Sequence, residues 1–215
     1  MTNSKISEEQ RKKQVLSILE DTYQGSASAL EFNSVFQLLV AVILSAQTND
    51  NQVNKITRQL FAKYATPLDF AALLPQELEQ LIKTCGLYKN KAKNIIAAAQ
   101  KIRDDFAGEV PKNREDLLLL PGVGQKTANV ILSVGYGLPA LAVDTHVFRT
   151  AHRLGLASGK TPEAVEQELC AIIPEKKWGE AHHWLIWHGR KLCKAQNPLC
   201  SDCPLQIYCT FKVAN

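Results

Sequence analysis

The sequence predicts an all-α protein. Three observations carry that expectation: apolar residues recur at helical spacing along most of the chain, capping residues open those stretches, and alternating strand patterns are nearly absent. Ser7 followed by Gln10 forms a capping-box pair, and Val15, Ile18, Leu19 and Tyr23 then mark one apolar face. Residues 35–46 are the longest apolar stretch, interrupted by Gln37 and Ser45 and too short to cross a bilayer, so they read as a buried core helix. Val53, Ile56, Leu60, Phe61 and Tyr64 repeat the helical spacing, as do Leu74, Leu78, Leu81 and Ile82. So do Ile95, Ile96, Ala99, Ile102 and Phe106. Thr161-Pro162-Glu163 opens a helix with a capping hydroxyl, a proline at the first helical position and an early acid. A last helix is expected over 178–193. Leu141-Ala142-Val143 is the one run that tempts a strand reading, and it is too short to carry a sheet.

The 215 residues can bury a substantial core in one large domain or two small ones. A hydrophobic fraction of 46% and an aromatic fraction of 7% exclude a disordered chain. Residues 1–11 are polar and charged with no apolar run behind them, which predicts no secretory leader and a cytoplasmic protein. The net charge of +4 is compatible with a polyanionic partner without requiring one. Cys85 and Cys170 stand alone and read as small buried hydrophobes, whereas Cys193, Cys200, Cys203 and Cys209 share one short segment.

The first segment that carries chemistry runs over residues 117–131. A short apolar helix ends near Pro121, Gly122-Val123-Gly124 makes a tight turn, and a second helix follows at once. Gly122 and Gly124 tolerate positive φ and put no side chain between the backbone and a ligand. Val123 is expected to fill the groove between the helices, and Ala128 to let them approach. Amide N–H groups at the start of the second helix then offer a phosphate site that reads no base sequence. A bare Gly-x-Gly would serve packing alone; the flanking leucines, hairpin and small residue together favour DNA.

Lys126 falls in the first turn of that second helix, where an ammonium faces the positive end of the helix dipole. A neutral amine is what a nucleophile requires. A phosphate-contacting lysine would occupy the same place, and position alone does not choose between the two roles. Asp144 follows the apolar run and opens a helix, the ordinary place of an N-cap. His146 and Arg149 share its helix.

Cys193-x6-Cys200-x2-Cys203-x5-Cys209 gathers four thiols in one loop with Pro198 and Pro204 between them. In a reducing compartment such a group means a metal. Zinc and iron–sulfur both accept four cysteines, and chemistry alone leaves them open.

The hairpin with Lys126, the run Val143-Asp144-Thr145-His146-Val147-Phe148-Arg149 and the cysteine spacing together resemble the endonuclease III family of bifunctional DNA glycosylases, over residues 36–209 and in the family's order. The resemblance implies two helical domains with the active site in the cleft between them. A helical bundle over 28–138 would hold the helix-hairpin-helix, and residues 1–27 with 139–215 would form the cluster domain. It implies Lys126 as the amine that attacks C1′ of a flipped, oxidised pyrimidine nucleotide and Asp144 as its carboxylate partner. β-Elimination would then nick the strand 3′ to the abasic site. Gln47 would fill the space left by the flipped nucleotide and Leu87 would wedge into the duplex. Taken alone, they read as a polar residue at a helix end and a core leucine. The four cysteines would bind a 4Fe–4S cluster whose loop offers cations to phosphate, with Arg190, Lys191 and Lys194 nearby. The partner would be double-stranded DNA containing damaged pyrimidines or abasic sites, with no membrane, and the protein a monomer, nucleoid-associated in a bacterium.

Two departures lower the charge of the expected DNA face. Gln125 stands where many relatives have arginine, and Lys194 is the sole cation between the first two cysteines. A shallower salt dependence of DNA binding is therefore expected than in a more basic relative. Rival readings are a monofunctional mismatch or adenine glycosylase of the same superfamily, a non-catalytic hairpin module with a zinc loop, and a ferredoxin-like carrier. Lys126, and a chain that ends six residues after Cys209, favour the bifunctional enzyme.

Overall fold

The computed structural model describes residues 6–211, and no strand occurs among them. Two compact units emerge, one of Ser28–Leu138 and one made of the chain up to Ala27 and from Pro139 onward.

In the unit of residues 28–138, the apolar stretch becomes α2 (Val35–Ser45), with Ser34 as N-cap and every residue from 36 to 44 buried. Its fully buried Leu38, Leu39 and Leu44 each contribute about 2 kcal/mol of transfer free energy. Gln37, the polar interruption, is buried too, and its Oε1 accepts from the Asn33 amide at 2.8 Å. Helix α3 (Asp50–Phe61) packs on α2, turning Val53, Ile56 and Leu60 inward. The short helices α4 (Pro67–Ala71) and α5 (Pro75–Ile82) lie against the long α6 (Tyr88–Asp105). Leu78 and Ile82 of α5 are buried, but Leu74 and Leu81 are exposed. Leu74 is the N-cap of α5 and so lies off the helical stripe that periodicity assigned to it.

Helices α7 (Arg114–Leu118) and α8 (Gln125–Val130) pack on each other as the hairpin. Chain continuation beyond α8 is a π-helical turn, Ile131–Gly135.

The other unit holds α1 (Glu8–Tyr23), α9 (Thr145–Arg153), α10 (Pro162–Ile172) and α11 (Trp178–Lys191). Ser7 caps α1 through a capping box and Thr161 caps α10, each as the sequence predicts. Val15, Leu19, Val147, Ala151, Trp184 and Leu185 belong to its core. Arg11 on α1 donates to the carbonyls of Leu154 and Gly155, both at 2.7 Å, and of Tyr208 at 2.8 Å, tying the N-terminal helix to the C-terminal segment. Helices α9 and α11 cross closely at Gly189, where a Cβ would stand 2.8 Å from Thr150 Oγ1. The run Leu141-Ala142-Val143 is buried without strand structure. No helix among the described residues is long and apolar enough to cross a membrane.

Candidate active site

The hairpin turn works through Gly122 and Val123. Gly122 has φ +81°, and a Cβ there would also stand 3.0 Å from Asn94 Cβ, so both backbone and space require glycine. Val123 is buried and Ala128 fully so, as the groove-filling reading expects. Gly124 departs from expectation: its φ is −105°, ordinary extended backbone, and nothing lies within 4 Å of where its Cβ would be. Its glycine keeps the surface open above the helix start rather than serving the turn. As N-cap it has no side chain, and no side-chain bond caps α8.

Lys126 is exposed in the first turn of α8, and its Nζ makes no ion pair or hydrogen bond among the described residues. An amine not engaged by a carboxylate is available to a ligand.

Asp144 belongs to the other unit. The extended segment Ala140–Val143 leading to it is buried, and His182 Nδ1 lies 2.7 Å from the Ala142 carbonyl oxygen, bracing that segment from α11. Asp144 is the N-cap of α9: its Oδ1 accepts from the Val147 amide at 2.8 Å. The capping role is therefore real, and it uses one oxygen; Oδ2 has no hydrogen bond among the described residues. His146 Nδ1 lies 3.3 Å from Arg149 Nη2, which gives that histidine a structural contact.

Gln47 and Leu87 stand on exposed turns of the hairpin unit. Both are non-glycine residues in left-handed conformation, with φ 55° and 58°. Such backbone costs free energy and is characteristic of segments held for a purpose.

The cysteine loop is held by arginines. Arg149 Nε donates to the Cys193 carbonyl at 3.0 Å, and Arg153 donates to the carbonyls of Lys194 at 2.7 Å and Ala195 at 3.1 Å. Arg153 Nη1 also lies 3.6 Å from Cys193 Sγ. Burial pushes the Cys203 and Cys209 thiols up, and the charges of their neighbour cysteines push them further. A cation held among the sulfurs would offset both effects. Among the described residues no three His, Cys, Asp or Glu side chains are placed to hold a single metal ion. Beside the loop, burial pushes His188 down to about 4. The neutral ring has Nδ1 3.1 Å from Tyr23 Oη and Nε2 3.7 Å from Cys203 Sγ. With the Tyr23 hydroxyl donating to Nδ1, the Nε2 proton falls to the sulfur. Burial, followed by the charges of Cys203 and Cys193, raises Tyr23 to about 12 and keeps that donor protonated.

Sequence reasoning did not find His182, His188 or Arg153 as parts of these surroundings, nor Lys91 as a buried residue of α6. Lys91 had a signal: it interrupts the apolar stripe of α6 one turn before Ile95, yet it is buried.

Comparisons with known proteins bear on this arrangement. A family model described as HhH-GPD superfamily base excision DNA repair protein matches residues 40–175. A second, the iron-sulfur binding domain of endonuclease III, matches residues 193–209. The Endonuclease III of Rickettsia conorii is 48% identical over 197 residues, covering 92% of this chain and 94% of that protein. That of Bacillus subtilis is 48% identical over 190 residues, 88% of this chain and 87% of its own. Among solved structures, a trapped endonuclease III–DNA covalent intermediate in its estranged-adenine complex superposes with a TM-score of 0.91. It is 45% identical and covers 95% of this chain and 97% of that one.

Proposed function

Since the chain belongs to the endonuclease III family of HhH-GPD base excision DNA repair proteins, we propose that it removes oxidised pyrimidines from double-stranded DNA with Lys126 as nucleophile and Asp144 as its carboxylate partner. It is a DNA glycosylase and abasic-site lyase, and DNA is its partner. The observation that carries the residue assignment is the exposed amine of Lys126, without a partner among the described residues, in the first turn of the hairpin helix.

The Lys126 nitrogen forms a bond to C1′ while the bond from C1′ to the base breaks, and the base leaves with that electron pair and gains a proton. Asp144 stabilises the positive charge that develops on the sugar and takes a proton from the attacking amine. Opening of the sugar ring releases O4′ as a hydroxyl and leaves a protonated Schiff base between Lys126 and C1′. That cation acidifies C2′–H; loss of this proton forms the C2′–C3′ double bond as the bond from C3′ to oxygen breaks. The 3′ strand departs with a 5′-phosphate, and hydrolysis of the Schiff base frees Lys126. Gln47 fills the place of the extruded nucleotide, Leu87 wedges beside it, and the amides around Gly122, Val123 and Gly124 hold phosphate. Treating the enzyme with borohydride on a thymine-glycol duplex is expected to leave a covalent protein–DNA adduct. An enzyme that releases the base with no adduct and no nick would be monofunctional.

The cofactor is an iron–sulfur cluster; we assign its type as 4Fe–4S on Cys193, Cys200, Cys203 and Cys209. The four thiolates would hold such a cluster, and its role when bound would be to pin the loop beside Arg153. Purified protein should be brown and carry about four irons and four acid-labile sulfides per chain; stoichiometric zinc would overturn the assignment. The working form we propose is a monomer in the cytoplasm, at the nucleoid of a bacterial cell.

The low charge of the DNA face gives a further expectation. Gln125→Arg adds a cation beside Lys126, and one new phosphate contact should steepen the slope of log affinity against log salt by about 0.9. A titration of duplex binding over salt reads this directly; an unchanged slope would mean that position 125 does not meet phosphate.

A further inference from the structure

The turns carrying Gln47 and Leu87 are joined through one buried lysine. The Lys91 backbone amide donates to the Leu87 carbonyl at 3.0 Å, in the first turn of α6. Its side chain runs the other way. Nζ donates to the carbonyls of Leu44 at 2.8 Å and Ala46 at 2.6 Å and to Thr48 Oγ1 at 3.0 Å. An ammonium has three donors, and these three acceptors account for all of them. Ala46 and Thr48 flank Gln47, and Leu44 lies in the last turn of α2, whose dipole presents its negative end there.

One close approach and one hydrogen bond link the neighbouring segments. The Gln47 carbonyl oxygen lies 3.5 Å from where a Cβ on Gly86 would be. Gln52 Nε2 donates to Thr84 Oγ1 at 2.9 Å. Left-handed backbone at both Gln47 and Leu87 needs such restraint to persist. Burial disfavours the charged form of Lys91, so the ammonium depends on its three acceptors.

We propose that Lys91 is a positioning residue that locks the Gln47 turn to the Leu87 turn, so that the two side chains enter the duplex as one rigid device. This deepens the reading of Gln47 and Leu87 given above and rests on it. Lys91 touches neither DNA nor the reacting atoms in this scheme; it sets where the inserting residues stand.

The test compares cleavage of a preformed abasic site in duplex DNA with cleavage of the same site in a single strand, which has no partner strand to invade. Lys91→Met keeps length and removes the donors. It should lower the duplex-to-single-strand rate ratio at least about tenfold, with Lys91→Arg falling between it and wild type. Thr48→Val, which removes one acceptor and should melt with wild type, is expected to lower the ratio about two- to fivefold; it decides the matter if Lys91→Met does not fold. A loss equal on both substrates, or a ratio unchanged in Lys91→Met and Thr48→Val, overturns the coupling. Leu87→Ala is the reference. A fall in its ratio without one for Lys91→Met overturns the coupling alone, whereas no fall for Leu87→Ala overturns the wedge reading and the coupling with it.

Discussion

Replacing Lys126 with glutamine should abolish borohydride trapping and reduce strand cleavage at an abasic site by about 10⁴-fold or more, because a positioned amine is worth that much over solvent nucleophiles. The exposed side chain bonds nothing among the described residues, so the variant should fold and melt as wild type does. Lys126→Arg separates the two roles a cation could have here. A guanidinium keeps the charge that a phosphate contact needs, but it stays protonated and supplies no attacking lone pair. Lys126→Arg, like Lys126→Gln, should therefore bind a duplex with a non-reactive abasic analogue about as tightly as wild type; a salt slope lowered in Lys126→Gln alone would make Lys126 a phosphate contact. Neither should form an adduct. Trapping that persists in Lys126→Arg would move the nucleophile to another residue.

For Asp144 the expected result is a loss of about 10²- to 10⁴-fold in single-turnover base release on Asp144→Asn, with little change in melting temperature. The prediction turns on the two oxygens. Oδ1 caps α9 by accepting from Val147 N–H at 2.8 Å, and asparagine caps a helix about as well as aspartate. What asparagine removes is the negative charge offered to the cation forming on the sugar. Asp144→Ala takes away both, and should lower stability by about 1 kcal/mol besides. Comparing the two by thermal melting and single-turnover kinetics divides the capping role from the chemical one. Should Asp144→Asn work at the wild-type rate, Asp144 would be an N-cap and nothing more.

Periodicity and capping chemistry made most helices legible. Ser7, Thr161 and the apolar run of α2 read correctly because a helix start needs an acceptor for its amides and a buried helix needs apolar side chains all round. Leu74 misled because it is the N-cap of α5 and lies off the helix face, and Leu81 because spacing shows which residues share a face and not whether another element covers it. Gly124 misled for a related reason: glycine permits positive φ without requiring it, and here φ is −105°. The strained turns at Gln47 and Leu87 left no mark, because nothing in either residue type announces left-handed backbone.

By itself the sequence determined the helical class, the hairpin and the four-cysteine segment, and it marked Lys126 and Asp144 as candidates, because each is a local pattern of residue types. Only the tertiary structure decided what those patterns are tied to. The three acceptors of Lys91 lie more than forty residues away in the chain, and Arg11 reaches carbonyls over 140 residues distant. Such bonds satisfy donors that folding has taken from water, and their partners are chosen by packing rather than by sequence spacing.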